Sequence, residues 1–214
     1  GTVTDLPVTA QAFSSRRLDG SPNVLLAVAV EGSEIGMMLT PDGERRISLD
    51  LHSIALEGTQ QIDEAHEQLI ARSTDEGHFE AVNDKPVTPR LVGYLAYQHE
   101  WTLGPATYTF NVAVVDNVTG RVGAISVEIE VPPYTDEDEW GISDPLLVTV
   151  DDAGRVHPVV LGRFVPGDNV VALVEVYGGQ RPILSGQVFL ETAGPDKGKQ
   201  GARLFPLAMR PTVG

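Results

Sequence analysis

The chain has 214 residues, with 15 Lys and Arg against 30 Asp and Glu, a formal net charge of −15, five His and no Cys. That balance argues against nucleic acid and anionic membrane surfaces, which are bound through Lys and Arg. The missing cysteine removes disulfides, thiol nucleophiles and zinc–thiolate centres, and no apolar run approaches the roughly 20 residues of a membrane-spanning helix.

The length suits one large or two small domains with a real core. The chain opens on Gly1 and a ragged polar start. This reads as a cleavage scar on an excised fragment, so the native amino terminus and any export signal are expected outside the sequence. Residues 6–13 and 23–30 read as the first two strands, joined by the turn chemistry of Asp19-Gly20-Ser21-Pro22. Pro41-Asp42-Gly43 makes a tight turn, after which Ile47, Leu49 and Leu51 alternate with Ser48, Asp50 and His52 as a half-buried strand. Residues 62–70 carry helix-favouring Glu, Ala and Gln but sit where a sandwich meander needs a strand, so a strand is expected. Residues 74–83, with Asp75 and Glu76 early and Phe79 and Val82 on one face, read as a short helix broken by Pro86. A strand is expected over residues 90–101.

Residues 106–131 are the clearest stretch. Tyr108, Phe110, Val112 and Val114 alternate with Thr107, Thr109, Asn111 and Ala113; beyond the Asp116-Asn117…Thr119-Gly120 turn, Ile125, Val127, Ile129 and Val131 alternate with polar or small residues. Alternation on both sides of a turn is a half-buried β-hairpin. Pro132-Pro133 then ends the strand, and Asp136-Glu137-Asp138-Glu139 cannot sit in a core. Residues 134–144 are therefore expected to be an acidic linker. Short strands at 146–150, 159–164, 170–176, 183–190 and 204–209 follow. The expected fold is all-β: an immunoglobulin-like antiparallel β-sandwich at 1–133, the linker, and a second, smaller sandwich at 145–214. The second has about five strands where a full sandwich needs about seven. It is either a reduced sandwich packed on the first or one completed through a sheet edge by a neighbouring chain, giving a dimer.

An ordered series of residues carries a family resemblance. Leu103-Gly-Pro-Ala-Thr-Tyr108, Val112-Ala-Val-Val-Asp116, Thr119-Gly-Arg-Val-Gly123 and Val131-Pro132, followed by Ser143-Asp144-Pro145-Leu146, Phe164-Val-Pro-Gly-Asp168 and Val174-Glu-Val-Tyr177, stand in that order. The series resembles the accessory β region downstream of the A domain in bacterial, acidobacterial-type von Willebrand factor A-related proteins. Ala106 stands where that pattern has Gly, and the metal-binding Asp-x-Ser-x-Ser of an A domain is absent. The resemblance implies a non-adhesive β module of an exported protein, located outside the cytoplasm.

Catalytic signatures are missing. There is no Gly-x-Ser-x-Gly elbow, no His-Glu-x-x-His and no phosphate-binding glycine loop. His52, His66, His78, His99 and His157 are scattered, with no pair three to five residues apart, which reads as strand surface or turn rather than metal site. No catalytic residue, cofactor or resident metal is expected. Asp136, Asp138 and Asp144 are calcium candidates of low weight, because contiguous acids lack the spacing and glycine of a calcium loop. Tyr94, Tyr97, Trp101 and Trp140 could stack sugars if exposed, but core and interface roles are expected, Tyr94 and Tyr97 falling on opposite faces of one strand. These residues point to a non-catalytic structural or protein-interaction module, with a protein partner of unknown identity and no membrane insertion. The alternative is a carbohydrate-binding module of a secreted enzyme.

Overall fold

Period-two alternation becomes antiparallel strands wherever the computed structural model describes the chain, at residues 5–16, 21–73, 79–81, 94–133, 141–150, 156–158, 170–174, 176–177, 187–190 and 203–206. Among these residues the helical structure is one 3-10 turn, Gly32–Glu34. Two compact units divide the chain, Gly1–Gly178 and Gly179–Gly214. The proposed linker falls inside the first of these ranges, and its residues 134–140 lie outside the described residues.

In the first unit β1 (Val8–Arg16), β2 (Pro22–Glu31), β3 (Met38–Leu39), β4 (Arg45–Glu57), β5 (Gln60–Ser73), β6 (Phe79–Ala81), β7 (Tyr94–Trp101), β8 (Ala106–Asp116) and β9 (Val122–Val131) follow in order. They make two antiparallel sheets, β1-β2-β7 and β6-β5-β4-β8-β9, with β3 paired to the start of β4. One core cluster joins the inner faces of both sheets. Val24, Leu26, Val28 and Val30 of β2 with Leu95, Tyr97 and Trp101 of β7 share it with Ile47, Leu49 and Leu51 of β4 and Phe110, Val112 and Val114 of β8. Each set is spaced by even steps, so one sheet face supplies it.

The β8–β9 hairpin takes the expected register, with Phe110 opposite Val127 and Val112 opposite Ile125. Phe110, Val112 and Ile129 are buried, while Ile125 and Val127 are half-buried and pack against the core. They sit on β9, the terminal strand of their sheet among the described residues. The strand ends at Val131, before the paired prolines that cannot donate to a ladder. β2 departs from alternation because both its faces are covered: Ala27 and Ala29 are buried with Phe13 on the side away from the main core. A run such as Val24-Leu-Leu-Ala-Val-Ala-Val30 is what a strand buried on both faces requires.

Residues 62–70 lie within the 14-residue strand β5. A two-residue turn at Gly58-Thr59 joins it to β4, with Gly58 at φ +59° as such hairpins demand. Ile62 is the extra residue of a bulge opposite Ala55 and Leu56, and is 39% exposed. The short helix expected at 74–83 is corrected in part: Phe79–Ala81 is a strand paired with Ala71–Ser73, and the rest of that span lies outside the described residues. Three or four turns' worth of apolar face stabilise a helix, and two apolar residues do not, whereas β5 offers unpaired backbone groups to a neighbouring strand.

Farther along the first unit, β11 (Leu146–Val150) is flanked by β12 (Val156–Pro158) and β13 (Val170–Leu173), and β10 (Gly141–Ile142) pairs β14 (Val176–Tyr177). Val148 is fully buried. The strand expected at 159–164 lies outside the described residues. In the second unit, β15 (Gln187–Leu190) pairs antiparallel with β16 (Arg203–Pro206).

Two substitutions test this packing. Ile129→Ala removes a buried branched side chain and should cost about 2–5 kcal/mol, seen as a lower midpoint in urea. Tyr108 is buried and its hydroxyl donates to the Gly104 carbonyl at 2.9 Å. Tyr108→Phe should cost about 0.5–1.5 kcal/mol in the same assay, with the native spectrum retained.

Candidate functional site

Polar side chains gather in three places in the first unit. The first is the end where β8 turns into β9. Asp116 is fully buried, and its carboxylate accepts from the Gly36 amide at 2.7 Å, the Val118 amide at 2.9 Å, the Thr119 amide at 3.4 Å and the Thr119 hydroxyl at 2.6 Å. Burial pushes the carboxyl up, but the Thr119 hydroxyl and the Gly36, Val118 and Thr119 amides together outweigh it, so Asp116 stays ionised below the usual carboxylate range. Beside it, Arg121 donates to the Glu34 carbonyl at 2.8 Å, to the Glu34 carboxylate at 3.0 Å and to the Asp5 carbonyl. Every donor aimed at Asp116 is a fixed backbone or hydroxyl group of the fold. This is a clasp that joins three chain segments, not a poised acid or base.

The second place is the inner face of β7. Tyr97, His99 and Trp101 stand at successive same-face positions, with the Tyr97 hydroxyl and His99 Nδ1 3.1 Å apart. His99 meets Trp101 edge-on at 4.8 Å between ring centres, and Trp101 tilts against Phe110 at 5.5 Å. Burial, aided by the Glu67 charge, drives the Tyr97 hydroxyl far above its ordinary value, so it remains a neutral hydrogen-bonding group. Tyr97 is 6% and Trp101 2% exposed. They are core aromatics, and no sugar can lie across them. Trp101 Nε1 has no hydrogen-bond partner among the described residues. The side chains of Tyr94 and Trp140 lie outside those residues.

The third place is the outer face of the six-stranded sheet. His52 and His66, fourteen residues apart in sequence, are directly opposite in the β4–β5 register and stack with ring centres 3.9 Å apart. The register, not local spacing, brings them together. Around them lie Asp50, which accepts from Gln68 at 3.2 Å, and the Asn111–Ser126 pair at 2.6 Å.

Of the calcium candidates, Asp136 and Asp138 lie outside the described residues. Asp144 accepts from the Ser14 amide at 3.4 Å and the Ser14 hydroxyl at 3.3 Å, which ties it to β1. Among the described residues no group of three or more His, Asp or Glu is arranged to hold a metal ion. None of their helices is long and apolar enough to cross a membrane. No protein family, curated protein or solved structure matches the chain.

Asp116 makes a pH prediction. Its carboxyl is held below 3.8 in the folded state. The stabilisation is therefore complete above that ordinary value and is lost as pH falls through the folded one. Asp116→Asn turns an amide towards backbone donors and should cost about 2 kcal/mol or more at neutral pH. Urea midpoints from about pH 6 to pH 2 should fall more steeply in the wild-type chain than in the variant.

Proposed function

We propose that the chain is a non-catalytic structural or protein-interaction module of an exported bacterial protein, built on an immunoglobulin- or fibronectin-like sandwich. The observation that carries this reading is the fate of the aromatics. Tyr97, Trp101, Tyr108 and Phe110 are all buried, at 6%, 2%, 4% and 0% exposure. What the six-stranded sheet presents instead is an outer face exposing Asn111, Ser126, Glu128 and Glu130 beside His52, His66 and Gln68. A sugar platform needs exposed ring faces, whereas a charged sheet face suits a solvated spacer or a protein contact.

The finer fold reading rests on two features. The first, second and seventh strands share one sheet while β4, β8 and β9 share the other, as the outer and inner strands of immunoglobulin-like domains do. Tyr108, at the start of β8, also bonds back to the backbone four residues upstream, in the manner of a tyrosine corner. The von Willebrand factor A-related reading draws support from the work its motif residues do: Thr119 binds Asp116, and Gly123 passes so close to the segment leading into β1 that an added Cβ would clash with the Leu6 carbonyl oxygen and the Val8 side chain. On this reading the module lies outside the cytoplasm, downstream of an A domain that carries the Asp-x-Ser-x-Ser motif.

Two experiments test the proposal. Affinity electrophoresis through gels cast with plant, bacterial and host polysaccharides should leave mobility unchanged. A screen of ester, glycoside, peptide and phosphate substrates should give no turnover above buffer. Retardation by one polysaccharide, abolished by a single aromatic substitution, would instead establish the carbohydrate-binding alternative.

A further inference from the structure

The stacked histidines on the outer sheet face have chemistry that a spacer does not require. Both rings are exposed, and among the described residues no hydrogen bond engages the nitrogens of either. We propose that His52 and His66 together chelate one divalent transition-metal ion of the zinc, copper or nickel kind, with water completing its coordination.

Three features of the molecule support this. The first is donor type. Neutral imidazole is a preferred ligand of these borderline ions, and the chain has no cysteine to compete for them. Oxygen-seeking calcium and magnesium gain nothing from such a pair. The second is geometry. Two nitrogens bound to one tetrahedral ion at about 2.0–2.1 Å each lie roughly 3.3 Å apart. The rings are 3.9 Å apart and 21° from parallel. The soft outer torsion of each side chain can turn the facing edges towards a shared ion without moving the backbone. That backbone is a paired antiparallel ladder, and across the other side of β4 exposed His52 faces the small side chain of Ala113. Ligands on strands of a sheet lose little freedom on binding.

The third feature is charge. Asp50 and Glu64 lie two residues from His52 and His66 on the same face, so the pair sits in a negative field that concentrates cations. These carboxylates accept hydrogen bonds from Gln68 at 3.2 Å and Gln61 at 3.0 Å, and they remain outside the coordination sphere. The site therefore has two protein ligands and an open outer side.

The test is calorimetric titration of the tag-free, chelator-stripped full chain with zinc and nickel chlorides. One ion per chain should bind, magnesium should not compete, and His52→Gln and His66→Gln should each weaken binding by about tenfold or more, since each removes one of two donors. Both positions are exposed, so the variants should keep the wild-type melting temperature in chelator. An independent measurement uses no variant: substoichiometric copper(II) should broaden the amide resonances of residues 51–53 and 65–67 before any others. Absence of binding at millimolar metal, binding unchanged in either variant, or broadening centred elsewhere would overturn the proposal.

Discussion

The first unit is closed at one end by a single buried charge. Asp116 draws the Gly36 amide, from the connection between β2 and β3, onto the β8–β9 turn. Arg121, five residues on, reaches Glu34 of the same connection and Asp5 ahead of β1. Three segments far apart in sequence are thus tied where the chain crosses between sheets. The energetic logic is one-sided. A carboxylate this buried is costly unless donors surround it, and once they do, removing any one of them leaves a charge without compensation. Gly36 is part of the same constraint, because an added Cβ would lie 2.5 Å from the Thr119 methyl and 3.0 Å from the Asp116 carboxylate. A side chain there would push the donor away from its acceptor.

Much of this architecture is legible in the sequence, and the reasons are local. Alternation in β4, β8 and β9 appears because one face of each strand meets the core and the other meets water. β5 is harder to read. Only Leu69 and Ala71 are buried on it, while residues 60–64 are exposed, so its first half carries no apolar signal. Helix-favouring composition there is overridden by cross-strand pairing, which no local pattern encodes. The same failure produced the expected helix at 74–83. The three residues described there pair with the end of β5, and their strand state depends on a neighbour, not on their own preference.

Site chemistry was less legible than fold. A search for histidines three to five residues apart is a search along one element, and it passes over partners that only a strand register can align. His52 and His66 flank the hairpin turn at Gly58, and their pairing follows from a count that includes the bulge at Ile62. A sequence reading that placed the turn and missed the bulge would set His52 against Ala65 and move the two rings to opposite faces. The clasp had a faint signal in Asp116 with Thr119 three residues later, the pattern of a side chain that bonds its own turn. Nothing in that signal announces Gly36, eighty residues away.

The two edges of the six-stranded sheet differ in how far they are covered. At one side, the Asp5 and Leu6 amides both donate to the Val122 carbonyl at 3.2 Å, so the start of β9 is already engaged by the chain leading into β1. At the other side, β6 covers only Ala71–Ser73 of β5 among the described residues. The rest of β5 carries Asp63, Glu64 and Glu67 and the bulge at Ile62. Closely spaced acids on both faces of a bulged strand repel a second copy of themselves, a recognised means of preventing edge-to-edge aggregation. A basic partner strand meets no such repulsion. The same acids, part of a net charge of −15, oppose a like-charged strand along this edge and do not oppose a cationic one.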